Sequence, residues 1–448
     1  MPYTHATLND AISALSGRLY GSIFWSNAEL TECVLEAIRT WNAYTGFWRG
    51  DFVFDLTLDT WWYDLTSPVT SPRPLTLTDF NLLTDINYHL LEPNIPAYPL
   101  AWSGSTQFSL TDILSAIQRK RDELLAITGC HLTVEYYPAV PGLIYVADDV
   151  IDIRRVSWQP TLGFGYTNKT LRSSDPWSKQ SFDYNYTTAA AKPPSNYLQS
   201  TQPPLSFIVD STPPCTGLYE VITTNAGAKL STTAAHSLLV PDDWAWVVKF
   251  GALADLFSRE SNSKDIVRAE YCERRFQEGA ALLSAAPGLL ALRINNIPIQ
   301  VDAVRNGDDF NSAWQALPHS TPKSGYSTGL NLVGFGPKPD SSIAYSITAT
   351  VIENAPVPSV GGDPIEVSHE DYDAILDYAQ HLAALKLGGQ EFALTVPLYQ
   401  QFIKQAGLYN SKLKEFGVYQ QAIFDIGQLQ EERKPRIAIT LRQEVNAE

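Results

Sequence analysis

At 448 residues the chain has the length of two or three domains, and 44% apolar with 11% aromatic residues argues against a mostly disordered polymer. A formal net charge of −16 opposes the counterion release by which proteins hold nucleic-acid backbones. Sequence-specific DNA binding is therefore disfavoured, whereas an acidic passage along which DNA slides without sticking is compatible. Cys33, Cys130, Cys215 and Cys272 have neither zinc-site nor disulfide-scaffold spacing, and are read as reduced. No run of about 18 apolar residues and no leader-like start is found, so no membrane span and folding in a cytoplasm are expected.

The first predicted element is a helix from Ser26, where Glu29 three residues later completes a capping box and Leu30, Val34, Ala37, Ile38 and Trp41 recur at helical spacing. Gly46 is its stop. Phe52, Phe54, Leu56 and Leu58 then alternate as in a half-buried strand, with Trp61 to Leu65 as the expected hairpin partner. The same grammar returns at an offset of 83: Ser26 becomes Ser109, Glu29 becomes Asp112, and Thr45-Gly46 becomes Thr128-Gly129. Ile113, Ala116, Ile117, Lys120 and Leu124 follow on the second helix. Leu132, Val134 and Tyr136 alternate before Tyr145 and Val146, with a tight reversal expected at Pro141-Gly142.

A second pair of units is related by an offset of 128. Asp243-Trp244, Val247-Val248 and Phe250 match Asp371-Tyr372, Ile375-Leu376 and Tyr378, while Tyr271 and Gly279 match Tyr399 and Gly407. Each unit reads as a helical hairpin preceded by strands: Leu205 to Val209 and Tyr219 to Thr223 in one, Leu330 to Val333 and Tyr345 to Val351 in the other. The predicted fold class is α+β, with helical bundle elements and short antiparallel β-hairpins, internally duplicated. One copy nested inside the other gives an outer copy of residues 1–100 plus 295–448 and an inner copy of 101–294. Tandem pairing of neighbouring units is the alternative.

Segments 66–76, 160–204 and 304–329 are rich in Ser, Thr, Pro and Gly and read as loops. In the longest, Phe164, Tyr166, Trp177, Phe182, Tyr184, Tyr186 and Tyr197 stand among polar residues, which suits either docking onto another surface or packing back onto their own domain.

The residues that carry chemistry are sparse. Gly163-Phe164-Gly165 and Gly334-Phe335-Gly336 lack the lysine and further glycines of a phosphate cradle. The seven histidines have no metal-ligand spacing, and His369 beside Ser368 reads as a first-turn helix residue. Asp148-Asp149 with Asp152, and Asp308-Asp309, read as solvated turns, since neither has the pattern of a calcium loop. No catalytic, metal or cofactor residue is assigned, and no cofactor is expected.

Two stretches carry a resemblance. Phe24-Trp25-Ser26-Asn27-Ala28-Glu29-Leu30 through Glu36-Ala37-Ile38-Arg39, followed by Thr45-Gly46-Phe47-Trp48-Arg49-Gly50, is one. The other is Asp371-Tyr372-Asp373-Ala374-Ile375-Leu376-Asp377-Tyr378-Ala379 through Phe392 and Tyr399-Gln400-Gln401-Phe402. Together they resemble the head-to-tail adaptor and connector (neck) structural proteins of tailed bacteriophages. The resemblance implies a non-enzymatic virion protein made in the host cytoplasm and placed at the head-tail junction. It would form a homo-oligomeric ring, contact the portal and tail or neck proteins, and let packaged DNA through without sequence-specific binding. This chain departs from the simplest adaptors in its length and apparent duplication. A baseplate, tail or capsid-decorating protein is the second reading, and a polysaccharide-active enzyme the third.

At the end of the chain Ile437, Ile439 and Leu441 alternate with Ala438, Thr440 and Arg442, after the basic residues Arg433, Lys434 and Arg436. A strand with one apolar face needs a sheet edge. These six basic and apolar residues are the candidate partner contacts, with residues 433–448 expected to add to an adjacent subunit or tail protein; a frayed terminus is the alternative.

Overall fold

In the computed structural model of the protein, the described residues are 5–21, 23–58, 60–66, 71–93, 97–101, 107–161, 166–182, 191–200, 204–259, 264–310, 314–340 and 345–412. The long helices are α1 (Leu8–Arg18), α2 (Asn27–Thr45), α3 (Asp79–Leu90), α4 (Leu110–Thr128), α6 (Ala245–Ser258), α7 (Ile266–Ala285), α9 (His369–Leu385) and α11 (Val396–Lys412). Short helices α5 (Pro176–Phe182), α8 (Val304–Phe310) and α10 (Gly389–Leu394) lie between them.

Local chemistry sets the ends of α2 and α4 in the same way. Ser26 accepts from the Glu29 amide while the Glu29 carboxylate accepts from the Ser26 amide at 2.7 Å, and Ser109 caps α4 through the Asp112 amide at 3.1 Å. Both helices close on a left-handed glycine, Gly46 at φ 56° and Gly129 at φ 57°. The preceding hydroxyls fold back alike: Thr45 Oγ1 donates to the Trp41 carbonyl at 2.6 Å and Thr128 Oγ1 to that of Leu124 at 2.7 Å.

The eight long helices share one core, which runs from Leu8 and Leu30 through Ile113 and Phe250 to Ile375 and Phe402. The helices of both expected copies therefore pack into a single bundle. Helix α6 is buried nearly all round and packs on α3, α4 and α7. It packs tightly on α7 at Gly279, where a Cβ would stand 2.5 Å from Val247 Cγ2. The matching Gly407 faces open space, so this glycine pair is under steric demand at only one of its members.

The strands make two seven-stranded sheets. The first contains β1 (Arg49–Asp55), β2 (Trp62–Asp64), β10 (Ala291–Ile294), β11 (Ile297–Ala303), β12 (Ser324–Thr328), β13 (Leu332–Gly336) and β14 (Ser346–Ile352). The second contains β3 (Thr133–Pro138), β4 (Ile144–Tyr145), β5 (Val150–Pro160), β6 (Lys169–Ser173), β7 (Asn196–Gln199), β8 (Ser206–Val209) and β9 (Gly217–Asn225). The spatial orders are β1-β14-β10-β11-β12-β13-β2 and β3-β9-β5-β6-β7-β8-β4. With each sheet's strands counted along the chain, both read first, seventh, third, fourth, fifth, sixth, second. Residues 49–64 thus pair with 291–352, across the whole second sheet.

This order corrects the expected hairpins. β1 pairs with β14, β2 with β13, β3 with β9 and β4 with β8, so each supposed hairpin occupies opposite edges of its sheet. Flat, seven strands would hold those edges about 29 Å apart. The links from Asp55 to Trp62 and from Pro138 to Ile144 reach at most about 25 and 21 Å. Each sheet must therefore curl, and in the first the rings of Phe54 on β1 and Tyr63 on β2 come within 5.4 Å. Apolar side chains such as Phe335 and Ile347 fill the first curl, Phe207 and Tyr219 the second.

Each sheet also holds one parallel pair, β11 with β12 and β6 with β7, which a tight turn cannot join. The crossovers carry α8 and α5 and run through the segments expected to be loops. Strand β10, which the expected copy boundary at 294/295 assigned to the inner copy, belongs to the first sheet. In the segment 66–76, Arg73 is buried and donates to the carbonyls of Ile352, Gly288, Leu330 and Pro287 at 2.7–3.2 Å.

Candidate functional site

A cavity of about 210 Å³ opens between α2, α3 and α6, and half of the residues that line it are charged. Its acidic wall is a helical stripe: Glu29, Glu32, Glu36 and Arg39 recur every three or four residues on α2, so their side chains share one face. Opposite stands Lys249, 2% exposed, in the middle of the apolar helix α6. A buried ammonium needs a counter-charge, and Lys249 Nζ is in hydrogen-bonded contact with Glu36 Oε2. That carboxylate, with Asp85 beside it, raises the lysine pKa despite the desolvation that opposes this.

Asp85 reaches the cavity from α3. Burial, reinforced by Glu32 and Glu36, pushes its carboxyl up to about 8, against the pull of Lys249 and Arg39. Glu32 is raised too, first by burial. Two oxygens of lining residues, Glu36 Oε1 and Asp85 Oδ1, are buried without a hydrogen-bond partner. Asn81, Glu32, Leu35, Arg39 and Leu77 form the partly open mouth, and Trp246 and Leu82 the apolar side. At the far end of the stripe Glu29 pairs with Lys386 at 2.5 Å. The Cys33 thiol between them is pushed up by burial and is not a nucleophile at neutral pH.

Three other polar clusters hold the architecture. Asp243, at the entry to α6, accepts from Asn42 Nδ2 at 2.5 Å and from the Ala355 amide at 3.1 Å, and burial raises it to about 7. Arg275 on α7 lies buried among rings. It donates to the hydroxyls of Tyr44 and Tyr378 at 2.7 and 2.8 Å and to that of Tyr399, and its guanidinium carbon sits 4.6 Å from the Trp246 ring centre. Next to it the Thr395 hydroxyl donates to the Phe392 carbonyl and so accepts from His381 Nδ1, leaving His381 Nε2 to accept from Tyr271 at 2.8 Å. Burial and Arg275 lower that imidazole to about 3, so it stays neutral. The third cluster, Arg155 with Glu220 and Asp308, joins the two sheets.

The residues singled out in the sequence fall as follows. Arg433, Lys434, Arg436, Ile437, Ile439 and Leu441 lie outside the described residues. Asp148 and Asp149 are exposed, and Asp152 pairs with Arg154 at 3.0 Å. Asp308 is not a solvated turn: it receives Arg155, Thr170 and the Trp314 indole. His369 stands exposed at the start of α9, behind the Ser368 cap. Of the long segment's aromatics, Tyr197 is buried in β7, Trp177 is 80% exposed on α5 and Tyr166 packs near Trp158. Phe164, Tyr184, Tyr186 and the Phe182 side chain lie outside the described residues. Among the described residues no group of three or more His, Cys, Asp or Glu is placed to hold a metal, and no helix is long and apolar enough to cross a membrane.

The cavity was not anticipated from sequence, although α2 carried its carboxylates at helical spacing. The clearest missed signal is Lys249, a lone charge between Trp246-Val247-Val248 and Phe250. Helix α3, also missed, was legible as Thr78-x-x-Asn81 ahead of Leu82, Leu83, Ile86 and Leu90.

The bundle has two unlike ends. At the start of α2, Tyr20 and Ile23 are fully exposed; Leu91 after α3, Ile266 and Val267 opening α7, and Leu387 after α9 belong to the same end. Contacts fix this grouping, since the Trp25 indole donates to the Ala383 carbonyl and Arg268 Nη1 to that of Leu385. At the other end Tyr409, near the end of α11, packs on Phe47 with ring centres 5.4 Å apart, just before β1 begins. Compared with protein-family models and with curated proteins, the chain finds no match in either.

Proposed function

We propose that the protein is a non-enzymatic virion component of a tailed phage, a head-to-tail adaptor or neck subunit that joins portal to tail as a ring around the DNA passage. The observation that carries this reading is a group of exposed apolar residues gathered at one end of α2, a helix about 28 Å long at 19 residues. One end presents Tyr20, Ile23, Ile266 and Val267 to solvent, an apolar grouping of the kind that marks a protein contact. The 36 residues that follow Lys412 in the sequence, 413–448, carry basic and alternating apolar residues. A joining subunit needs a contact for each neighbour. The resemblance of the α2 and α9 to α11 stretches to phage connectors, and the −16 charge, support the same reading.

We infer further that the chain carries a nested duplication. The identical strand order of the two sheets supports it, as do the matching ends of α2 and α4 and the offset of 128 between the two helical pairs.

Electron microscopy tests the assignment. Virions labelled on this chain are expected to show label at the head-tail junction; label on baseplate, tail or shell would select the second reading. Removing residues 433–448 is expected to leave the circular dichroism spectrum unchanged and to abolish rings or joined virions. Normal assembly of the truncated chain would remove the docking role of Arg433 to Leu441.

A further inference from the structure

We propose that the cavity between α2, α3 and α6 is a binding site for a primary alkylammonium group, its head among Glu32, Glu36 and Asp85 and its methylenes against Leu35, Leu82 and Trp246. This does not depend on the neck assignment.

The need for a donor comes first. Glu36, which lines the cavity, is 5% exposed, and with Oε2 engaged by Lys249 its Oε1 is left buried without a hydrogen-bond partner. Asp85 Oδ1 is in the same condition from the opposite helix. An unsatisfied buried acceptor costs about 1–3 kcal/mol, more for a charged group, so both oxygens favour an occupant that donates hydrogen bonds. Water could donate. Water would not balance the charge.

The lining holds Glu32, Glu36, Asp85 and Asp242 against Arg39 and Lys249, two negative charges in excess when all are ionised. Near neutral pH, with Asp85 protonated, the excess is one, and a single ammonium cancels it. Several features set the chemical class. An ammonium supplies three donors on a compact head. The opposite side is aliphatic and aromatic, which accommodates a short alkyl chain and disfavours a bare ion. No convergent metal-ligand group exists among the described residues. A volume of about 210 Å³ suits a chain of a few carbons, and the mouth at Asn81 and Arg39 gives it entry.

Binding should also move a proton. Asp85 faces Glu32, Cys33, Glu36 and Arg39 of α2 and Lys249 of α6, with Tyr88 and the neutral His89 next along its own helix. Of these groups, Asp85 is the carboxyl raised to the edge of the physiological range. A cation seated against it would draw off its proton, so affinity must rise with pH.

The test is calorimetric titration of the full chain at pH 6.5 and 8.5 with 1,5-diaminopentane, and with Nα-acetyl-lysine methylamide as the surrogate for a lysine from a partner protein. Pentane-1,5-diol and glutarate are the neutral and anionic controls. Saturable one-to-one binding of an amine and not of the diol is expected, about tenfold tighter at the higher pH, with proton release that varies with buffer ionisation heat. Asp85→Asn should remove the pH dependence, and Glu36→Gln should weaken binding at least tenfold. Glu32→Gln, at the mouth, serves if Glu36→Gln does not fold. Binding of the free diamine assigns a small-molecule amine; binding of the lysine surrogate alone assigns a partner's side chain. Equal affinity for the diol, no saturation by either amine, or binding unchanged in both Asp85→Asn and Glu32→Gln would overturn the proposal.

Discussion

Arg155 of the second sheet and Asp308 of the α8 crossover in the first are joined by two parallel hydrogen bonds, Nε to Oδ2 at 2.7 Å and Nη2 to Oδ1 at 3.0 Å. The same guanidinium donates to Glu220, wholly buried, and to Gln315, while Trp62 and Trp314 flank it. A planar fork with five donors fits this site as an ammonium would not. Arg155 thus ties the sheets together through partners from both, beside Thr170 donating to Asp308 and Gln315 donating to Glu220.

Arg155→Ala should be among the most damaging single changes in the molecule. Removing one partner of a buried pair costs about 3–5 kcal/mol because the other is left uncompensated, and here both Asp308 and Glu220 would be. Asp308→Asn, which keeps two acceptor-donor contacts, should fall at or below the lower figure. Urea unfolding of both variants measures the difference, and equal midpoints would contradict the role assigned to Glu220.

Acid should stabilise the fold over a range where most proteins gain nothing. The native Asp85 carboxyl is raised from 3.8 to about 8, so the folded state holds a proton that the unfolded chain gives up. Its contribution is fully present below about pH 4 and is lost as pH rises to 8, at up to about 1.4 kcal/mol per unit. Asp243, raised to about 7, acts in the same sense over a shorter span. In chemical denaturation between pH 5 and 9, Asp85→Asn should gain on the parent as pH rises and draw level with it at the acid end.

Gly46→Ala and Gly129→Ala should each cost about 1–2 kcal/mol, since both residues hold left-handed backbone at a helix end. The second should cost more, because a Cβ there stands 3.3 Å from the Arg154 guanidinium, which must yield. Thermal unfolding of the pair gives the ranking directly.

Arg275→Lys tests the tyrosine cage. An ammonium keeps the charge near Trp246 but cannot serve the hydroxyls of Tyr44, Tyr378 and Tyr399 in their present positions. A loss of about 1–3 kcal/mol is expected for each hydroxyl left unsatisfied in the core. Near-ultraviolet circular dichroism should change with it, while the far-ultraviolet spectrum stays as it was.

What the sequence disclosed, and what it hid, follow from the range of the interactions involved. The ends of α2 and α4 were legible because Ser26, Glu29 and Gly46 act within one helical turn of the sites they control. Strands β1 and β3 were legible as strands through alternation, but alternation says nothing of partners. Phe52 pairs with Ala349, almost three hundred residues on, and the nearby Trp62 to Asp64 looked like its mate only through proximity in the chain. β6 escaped notice because Lys169–Ser173 is a largely polar strand whose burial rests on Leu171. The cavity was hidden for a related reason: Glu36 and Asp85 look like ordinary polar helix positions, and the lone charge of Lys249 in its apolar run does not reveal its partners until the helices are packed together.

The split first sheet has a consequence for the order in which the protein comes into being. β1 and β2 leave the ribosome early, yet their partners β14 and β13 follow only after the whole second sheet and two helical units have been made. At about 5–20 residues per second, the roughly 270 residues between Asp64 and Leu332 impose a wait of about 13–54 s. Throughout that interval Phe52, Phe54, Trp61 and Trp62 have no sheet to enter. The second sheet, complete within residues 133–225, has no such delay and can close first, giving the returning strands a finished surface on which to assemble.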